Sequence, residues 1–286
     1  MEFKEKFIGF VDILGWKEKI KASEAGTGMP LAELVEAAKD LGRPEDKAKV
    51  EKYGPTICPQ SACISRDLDF QLTRISDCVI VSSEISPAGL INLVNHCWGA
   101  VIKLLMKGIM CRGYITRGTI YHTNDPDVMG SGYQEALDKE KNVSVFKRTA
   151  DERGTPFVEV DASVCVYVRE HGDSCVKEMF SRLVKETDGM AAIFPFQRLQ
   201  HSFIIGDWYG HKFDPQRERK SNQNVRSMIV KMKDRVMALV DHSRPDVERK
   251  AEHYIAALND QLDVCRKTDE MLDMLAGSFP KHRGTY

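Results

Sequence analysis

Apolar and polar positions along the chain alternate between a strand period and a helix period at the front and settle into a helix period at the back. The run Phe7-Ile8-Gly9-Phe10-Val11-Asp12-Ile13-Leu14-Gly15-Trp16 reads as a strand with a single carboxylate among apolar neighbours. Residues 17–23 are Lys-rich and compatible with a helix; a break follows from Ala25 to Pro30, and 31–52 read as one polar helix within an insertion of about 26–60. Leu68 to Ile75 and Cys78 to Ser82 are β-branched enough to be two antiparallel strands joined tightly at Ser76-Asp77. Pro87 opens a helix whose apolar positions Leu90, Ile91, Val94, Trp98, Val101 and Leu105 step by three and four, and Gly108 stops it. Met110 to Tyr121 is a further strand. The order is βαββαβ, which predicts a split-βαβ, ferredoxin-like sheet with helices on one face.

Gly130 to Lys141 reads as a helix and Phe157 to Val160 as a short strand, whereas 161–186 mix both periods without a clean division. Beyond a strand-like His201 to Ile205 and a turn at Asp214-Pro215, two apolar stripes predict two helices separated by Pro245. The first comprises Val225, Met228, Ile229, Met232, Val236, Leu239 and Val240; the second comprises Val247, Ala251, Tyr254, Ile255, Leu258 and Leu262. The pattern predicts an α/β (α+β) domain over 1–210 and a helical C-terminal extension over 211–286.

Composition narrows the partners. Lys and Arg total 41 against 42 Asp and Glu, so no global field draws the chain onto a polyanion or an anionic membrane. The apolar runs Phe7 to Trp16 and Ala100 to Met106 are interrupted by Asp12 and Lys103 and are too short to cross a bilayer. No signal peptide is read at the N-terminus, and the eight cysteines include no C-x-x-C pair, so a cytoplasmic location with reduced thiols is expected. Cys58, Cys63, His171 and Cys175 match no common zinc spacing. From Arg217 to Arg235 there are seven basic and two acidic residues, a solvated helix face or a funnel for triphosphate; no aromatic side chain interleaves, so nucleic acid is not expected.

Asp12 and Asp77 carry the strongest chemical signal. Each falls at a strand end, and in a βαββαβ sheet the end of the first strand adjoins the hairpin between the second and third. Two carboxylates there suit one or two hard divalent cations, Mg²⁺ or Mn²⁺. They equally suit local duty, Asp12 capping the next helix and Asp77 satisfying the turn.

The same residues resemble a known family. Phe10-Val11-Asp12-Ile13-Leu14-Gly15-Trp16 is similar to the F-x-D-I-x-G-F signature of class III nucleotidyl cyclases, and Ser76-Asp77-Cys78-Val79-Ile80-Val81 to their second metal motif. Arg112-Gly113-Tyr114-Ile115-Thr116-Arg117-Gly118 is similar to their R-I-G-I-H-T-G strand, and Val128 to Ala136 to the segment after it. Within the family the chain most resembles the free-standing pyrimidine cyclases of bacterial Pycsar anti-phage systems, including a tail helix similar to V-x-x-K-A-x-W within Val247 to Tyr254.

The resemblance implies a head-to-tail homodimer with two composite sites. It implies cyclisation of UTP, with CTP next, to a cyclic monophosphate that a separate effector protein senses. Asp12 and Asp77, with the Ile13 carbonyl, would hold two ions per site; Leu14, Gly15 and Trp16 would meet the phosphates. Thr73 stands where purine cyclases place a Lys, and Thr73 and Asp127 would contact the base. The transition-state Asn and Arg fall at Gln134 and Asp138, so Arg117 or a tail residue is expected to supply the cation. An adenylate cyclase and a catalytically silent nucleotide-binding module are the other readings.

Overall fold

The computed structural model describes residues 1–123, 127–152, 154–194, 214–240 and 243–278. The chain divides into two compact units, Met1–Pro195 and Phe196–Tyr286. The expected boundary near 210 and the strand-like His201 to Ile205 lie outside the described residues.

In the first unit, strand β1 (Lys4–Ile13) is flanked on both sides by antiparallel partners, β3 (Cys78–Ser83) and β4 (Cys111–His122). β2 (Gln71–Ile75) pairs with β3 at one edge. Beyond β4 the sheet continues through β6 (Val158–Val160), β8 (Met190–Ile193) and β7 (Val184–Thr187), while the short β5 (Val128–Met129) pairs with the far end of β4. The first four strands lie in the order β2-β3-β1-β4, the predicted split-βαβ arrangement.

β1 is a near-continuous apolar run because both its faces are covered: Lys6 to Val11 are all buried. Odd positions face helix α4 (Pro87–Leu105), against which Gly9 lets the strand close tightly; a Cβ there would lie 3.0 Å from Val81 Cγ2 and 3.2 Å from Cys97 Sγ. α4 is long and apolar enough to cross a membrane by length and composition, but it is packed into the core of this unit. Even positions Ile8 and Phe10 form a second cluster with Ile80, Ile120 and Ala136, the last on helix α5 (Ser131–Glu140). The helices of the βαββαβ unit therefore keep to one face, and α5, which follows it, covers the other.

The insertion is two helices rather than the single one expected over 31–52. Helix α1 (Trp16–Glu24) is followed by α2 (Leu31–Asp40) and α3 (Pro44–Tyr53). Pro44 opens α3 at its first turn and holds Arg43 extended at φ −119°, ψ 150°, which breaks the helical run. The ambiguous stretch 161–186 resolves into α6 (Ala162–His171), α7 (Ser174–Leu183) and the start of β7. Asp161 and Asp173 cap the two helices through the Ser163 and Val176 N–H groups, each at 2.8 Å. Asp173 also accepts from Ser61 Oγ at 2.7 Å and so fastens the segment after α3 to α7.

The second unit contains α8 (Pro215–Ala238) and α9 (Pro245–Ser278), both longer than their apolar stripes predict. They pack antiparallel: Asn222 Nδ2 donates to Asp269 Oδ1 at 2.7 Å near one end, and Lys233 Nζ to Asn259 Oδ1 at 2.9 Å toward the other. Arg219 and Arg226 pair with Asp273 and Asp269. Two of the seven basic residues between Arg217 and Arg235 are thus neutralised by acids of α9.

A polar knot lies under β5. His122 is 3% exposed; its Nε2 is 3.0 Å from Thr73 Oγ1 and its Nδ1 is 2.9 Å from Ser82 Oγ. Burial, then the Lys6 and Lys47 ammonium groups, push the imidazole down to about 4. A His whose folded value lies below its unfolded one leaves the fold at full stability above pH 6.5 and destabilises it as pH falls towards 4. Acidification from pH 7 to pH 4 should therefore remove on the order of 3 kcal/mol through this residue. Urea midpoints across that range should show much of the slope abolished in His122→Gln; an unchanged slope would refute the assignment.

Candidate active site

The two carboxylates meet at one end of the sheet. Where β1 ends, the Ile13 N–H donates to the Asp77 carbonyl oxygen at 3.0 Å and the Leu14 N–H to the Met110 carbonyl oxygen at 3.0 Å. Asp12 stands opposite Cys78 on β3 and Arg112 on β4, and Asp77 occupies the two-residue turn between β2 and β3 beside Ser76 at φ 53°. Of the local duties open to Asp12, helix capping is absent: Gly15, at φ 70°, is the N-cap of α1, and no side-chain bond caps that helix. Asp77 does occupy a turn, yet among the described residues no hydrogen bond or ion pair engages its carboxylate.

Asp12 is half-buried on the α5 face of the sheet, in line with Ile8 and Phe10. Burial first, then the negative charges of Asp77 and Glu140, push its carboxyl up to about 7; Arg112 and the Ile13 N–H pull the other way. Glu140, buried at the end of α5, is engaged by the Arg112 guanidinium, which also runs against Gly154; a Cβ on that glycine would meet Arg112 Nη1 at 2.5 Å. Asp12 and Glu140 thus draw on the same guanidinium. Among the described residues no group of three or more His, Cys, Asp or Glu converges as a metal cage, so Glu140 is a partner of Arg112 rather than a third ligand.

The remaining expected site residues are distributed as follows. Gly15 is exposed and Leu14 and Trp16 half-buried at the start of α1, whose first intrahelical bond runs from Lys19 N–H to the Gly15 carbonyl. The N–H groups of Trp16, Lys17 and Glu18 consequently have no partner within the helix. Thr73 lies on the Asp12 face of the sheet, but its hydroxyl is bound to His122. Asp127 is exposed just before β5. Arg117 is not brought to the carboxylates: it pairs with Phe7, five residues or about 17 Å along the strand from Arg112. It faces the opposite side of the sheet, with Nε 2.8 Å from Glu5 Oε1 and its guanidinium 6.0 Å from the centre of the Tyr167 ring. Gln134 and Asp138 are exposed on α5.

Sequence reading missed three participants. Glu140 and His122 carry no local signal, because their partners join them only across the folded sheet. Arg112 stands out in the sequence only as part of the R-I-G-I-H-T-G-like strand; its acid, Glu140, is buried and acts on Asp12. The segment after α3 does approach α6 and α7, with Cys63 Sγ 3.8 Å from the His171 carbonyl oxygen, without forming a metal cage.

No family model matches the chain, and no curated protein does. Among solved structures, the monomeric guanylyl cyclase domain of the RhoGC fusion protein from the aquatic fungus Blastocladiella emersonii matches 67% of this chain and 96% of its own, at 11% identity and a TM-score of 0.36. The catalytic core of a rhodopsin-guanylyl cyclase with converted specificity, in complex with ATPαS, matches 68% of this chain and 98% of its own, at 14% identity and a TM-score of 0.35. Likeness of that degree assigns no activity to this chain; its own residues have to.

A carboxyl raised from 3.8 to about 7 favours the fold only while protonated, so its contribution is complete below pH 3.8 and is lost as pH rises through 7. The shift corresponds to about 4 kcal/mol in a dry site and closer to about 2 kcal/mol in this half-open one. At pH 8 in chelator, Asp12→Asn should raise the unfolding free energy measured in urea by an amount of that order, with little change at pH 4. A destabilised Asp12→Asn at pH 8 would contradict the cost of holding the carboxylate half-buried beside Asp77.

Proposed function

We propose that the chain is a nucleotidyl cyclase that converts a pyrimidine nucleoside triphosphate to its 3′,5′-cyclic monophosphate and pyrophosphate. The observation that carries this reading is the Asp12–Asp77 pair: two carboxylates at adjoining strand ends, one of them pushed up to about 7 by burial and then by the charge of the other. Local structure does not explain Asp12, since it caps nothing. The donor set fits a hard divalent cation such as Mg²⁺ or Mn²⁺, which is commonly held by one or two carboxylates with the substrate's phosphates and water completing its shell. Asp12, Asp77 and the Ile13 carbonyl would hold it. Bound there, such ions neutralise polyphosphate charge and acidify a hydroxyl.

The chain's own groups supply the rest. The free N–H groups at the start of α1, with the positive end of its dipole, receive phosphate oxygens next to Gly15. Arg112, half-buried and fixed by Glu140, stands opposite Asp12 across the strand pair and can face charge that develops on the α-phosphoryl group. The ribose 3′-oxygen attacks the α-phosphorus, the bond to the bridging oxygen of pyrophosphate breaks, and the hydroxyl proton passes to water. Positioning and charge neutralisation account for most of the acceleration in phosphoryl transfer.

A head-to-tail homodimer, with Asp127 and Arg117 at surfaces a second subunit can reach, belongs to the same reading. So do a cytoplasmic location, a role in anti-phage defence and a separate effector protein that senses the product. The exposed Gln134 and Asp138, where the resembled cyclases carry Asn and Arg, favour a second reading: a silent module that binds nucleotide without turning it over.

Incubation with each of the four labelled ribonucleoside triphosphates and Mn²⁺ separates these. UTP, then CTP, should give cyclic product, and Asp12→Ala and Asp77→Ala should each lower turnover at least 10³-fold while the circular dichroism spectrum stays that of the parent. ATP or GTP cyclised as fast as UTP and CTP overturns the pyrimidine assignment. Activity retained in both variants overturns the cyclase, and binding without turnover selects the silent module.

A further inference from the structure

Between α1, α2 and the tip of the β2–β3 hairpin lies a cleft of about 610 Å³. Trp16 and Ile20 of α1, Leu31 and Val35 of α2, and Arg74 and Ser76 of the hairpin line it. Its volume is that of a small-molecule site. The walls are apolar side chains left in water: Leu31 is 71% exposed, Val35 44% and Ile20 37%. α1 buries no residue at all, although Trp16 and Ile20 are on its cleft side.

One cation, Arg74, lines this space as well as the neighbouring cleft beside Gly42 and Lys47. Arg74 follows Thr73 on β2 and pairs with Val79, so its side chain leaves the strand on the face opposite Thr73 and His122. It is exposed and, among the described residues, has no ion pair or hydrogen bond. A guanidinium that pairs with no acid among the described residues, at the rim of a largely apolar cleft that Glu24 also lines and with an indole in its wall, matches a planar ring that carries oxygen acceptors at its edge.

The cleft adjoins the carboxylates through both of its walls. Ser76 precedes Asp77, and Trp16 follows Gly15 at the open N-terminus of α1. A ligand with phosphates at that N-terminus therefore has its other end within reach of the cleft. Resting on the nucleotide reading above, we propose that the cleft receives the nucleobase, with its ring against Trp16 and a ring carbonyl accepting from Arg74. Base contact then falls to Trp16 and Arg74 rather than to Thr73, whose hydroxyl is tied to His122, and Asp127. Arg74 only donates, so it favours uracil, cytosine and guanine, which carry ring carbonyls, over adenine, which has none.

The test is calorimetric binding in Mn²⁺ of the four 3′-deoxynucleoside triphosphates, which lack the attacking hydroxyl, and of inorganic tripolyphosphate, which lacks a base. Arg74→Ala should weaken the best-bound nucleotide at least tenfold and Val35→Asn at least threefold, with tripolyphosphate held within twofold and 3′-deoxy-ATP the weakest of the four. Both positions are exposed, and an unchanged melting temperature confirms folding. If both variants bind nucleotide like the parent while Asp77→Asn does not, or if Thr73→Ala and Asp127→Ala weaken it instead, the cleft assignment is wrong and the carboxylate site stands. Equal losses on tripolyphosphate make Arg74 a phosphate contact and also overturn the base assignment. Failure of the parent protein to bind any of the four overturns the nucleotide reading and the cleft assignment with it.

Discussion

The repulsion between Asp12 and Asp77 is the constraint around which this end of the first unit is organised. Two carboxylates brought together at adjoining strand ends oppose folding unless charge is supplied, and the chain supplies only part of it. Arg112 stands opposite Asp12, but the buried Glu140 draws on the same guanidinium. A protein selected for stability alone would have an amide or a hydroxyl at position 12, where half-burial pushes a carboxyl up to about 7. The unmet charge is therefore most economically explained by something that binds there.

What keeps the pair together is the central strand. β1 is buried on both faces and hydrogen-bonded on both edges, so its end is fixed against β3 and β4. Tight registration comes partly from Gly113, where any Cβ would collide with the Phe10 carbonyl oxygen across the strand pair. Only beyond Ile13 does the chain leave the sheet, and the left-handed Gly15 turns it directly into α1. Carboxylates, open helix terminus and hairpin tip are thus consequences of one strand ending where its neighbours are still rigid.

Much of this was legible in the sequence because its causes are local. The apolar run of β1, the turn at Ser76-Asp77, and the Pro87 and Gly108 limits of α4 follow from residue types at short spacing. Two features carried local signals that the periodic reading passed over. Pro44 divides the insertion helix, and Asp188-Gly189, both at positive φ between two short apolar segments, forms the β7–β8 hairpin. Parity separates Arg117 from Asp12: Arg112 and Arg117 are an odd number of residues apart on one strand and face opposite sides of it. The His122–Thr73 contact and the Arg112–Glu140 pair join residues 49 and 28 positions apart, and no spacing rule reaches them.

Strand parity also changes how position 73 is to be understood. A side chain there points to the α5 face, where His122 already holds the Thr73 hydroxyl; one residue further, the side chain of Arg74 points to the face bearing α1 and α2. Moving a cation by a single residue along a strand therefore does not shift a contact by a few ångströms. It transfers the contact to the other side of the sheet and to a different wall of the site. The insertion helices make that transfer consequential, because Leu31 and Val35 of α2 give the second wall an apolar surface opposite Trp16 that the hairpin alone would lack. Apolar side chains that the insertion leaves in water, and a cation that has no partner among the described residues, explain each other if a ring lies between them.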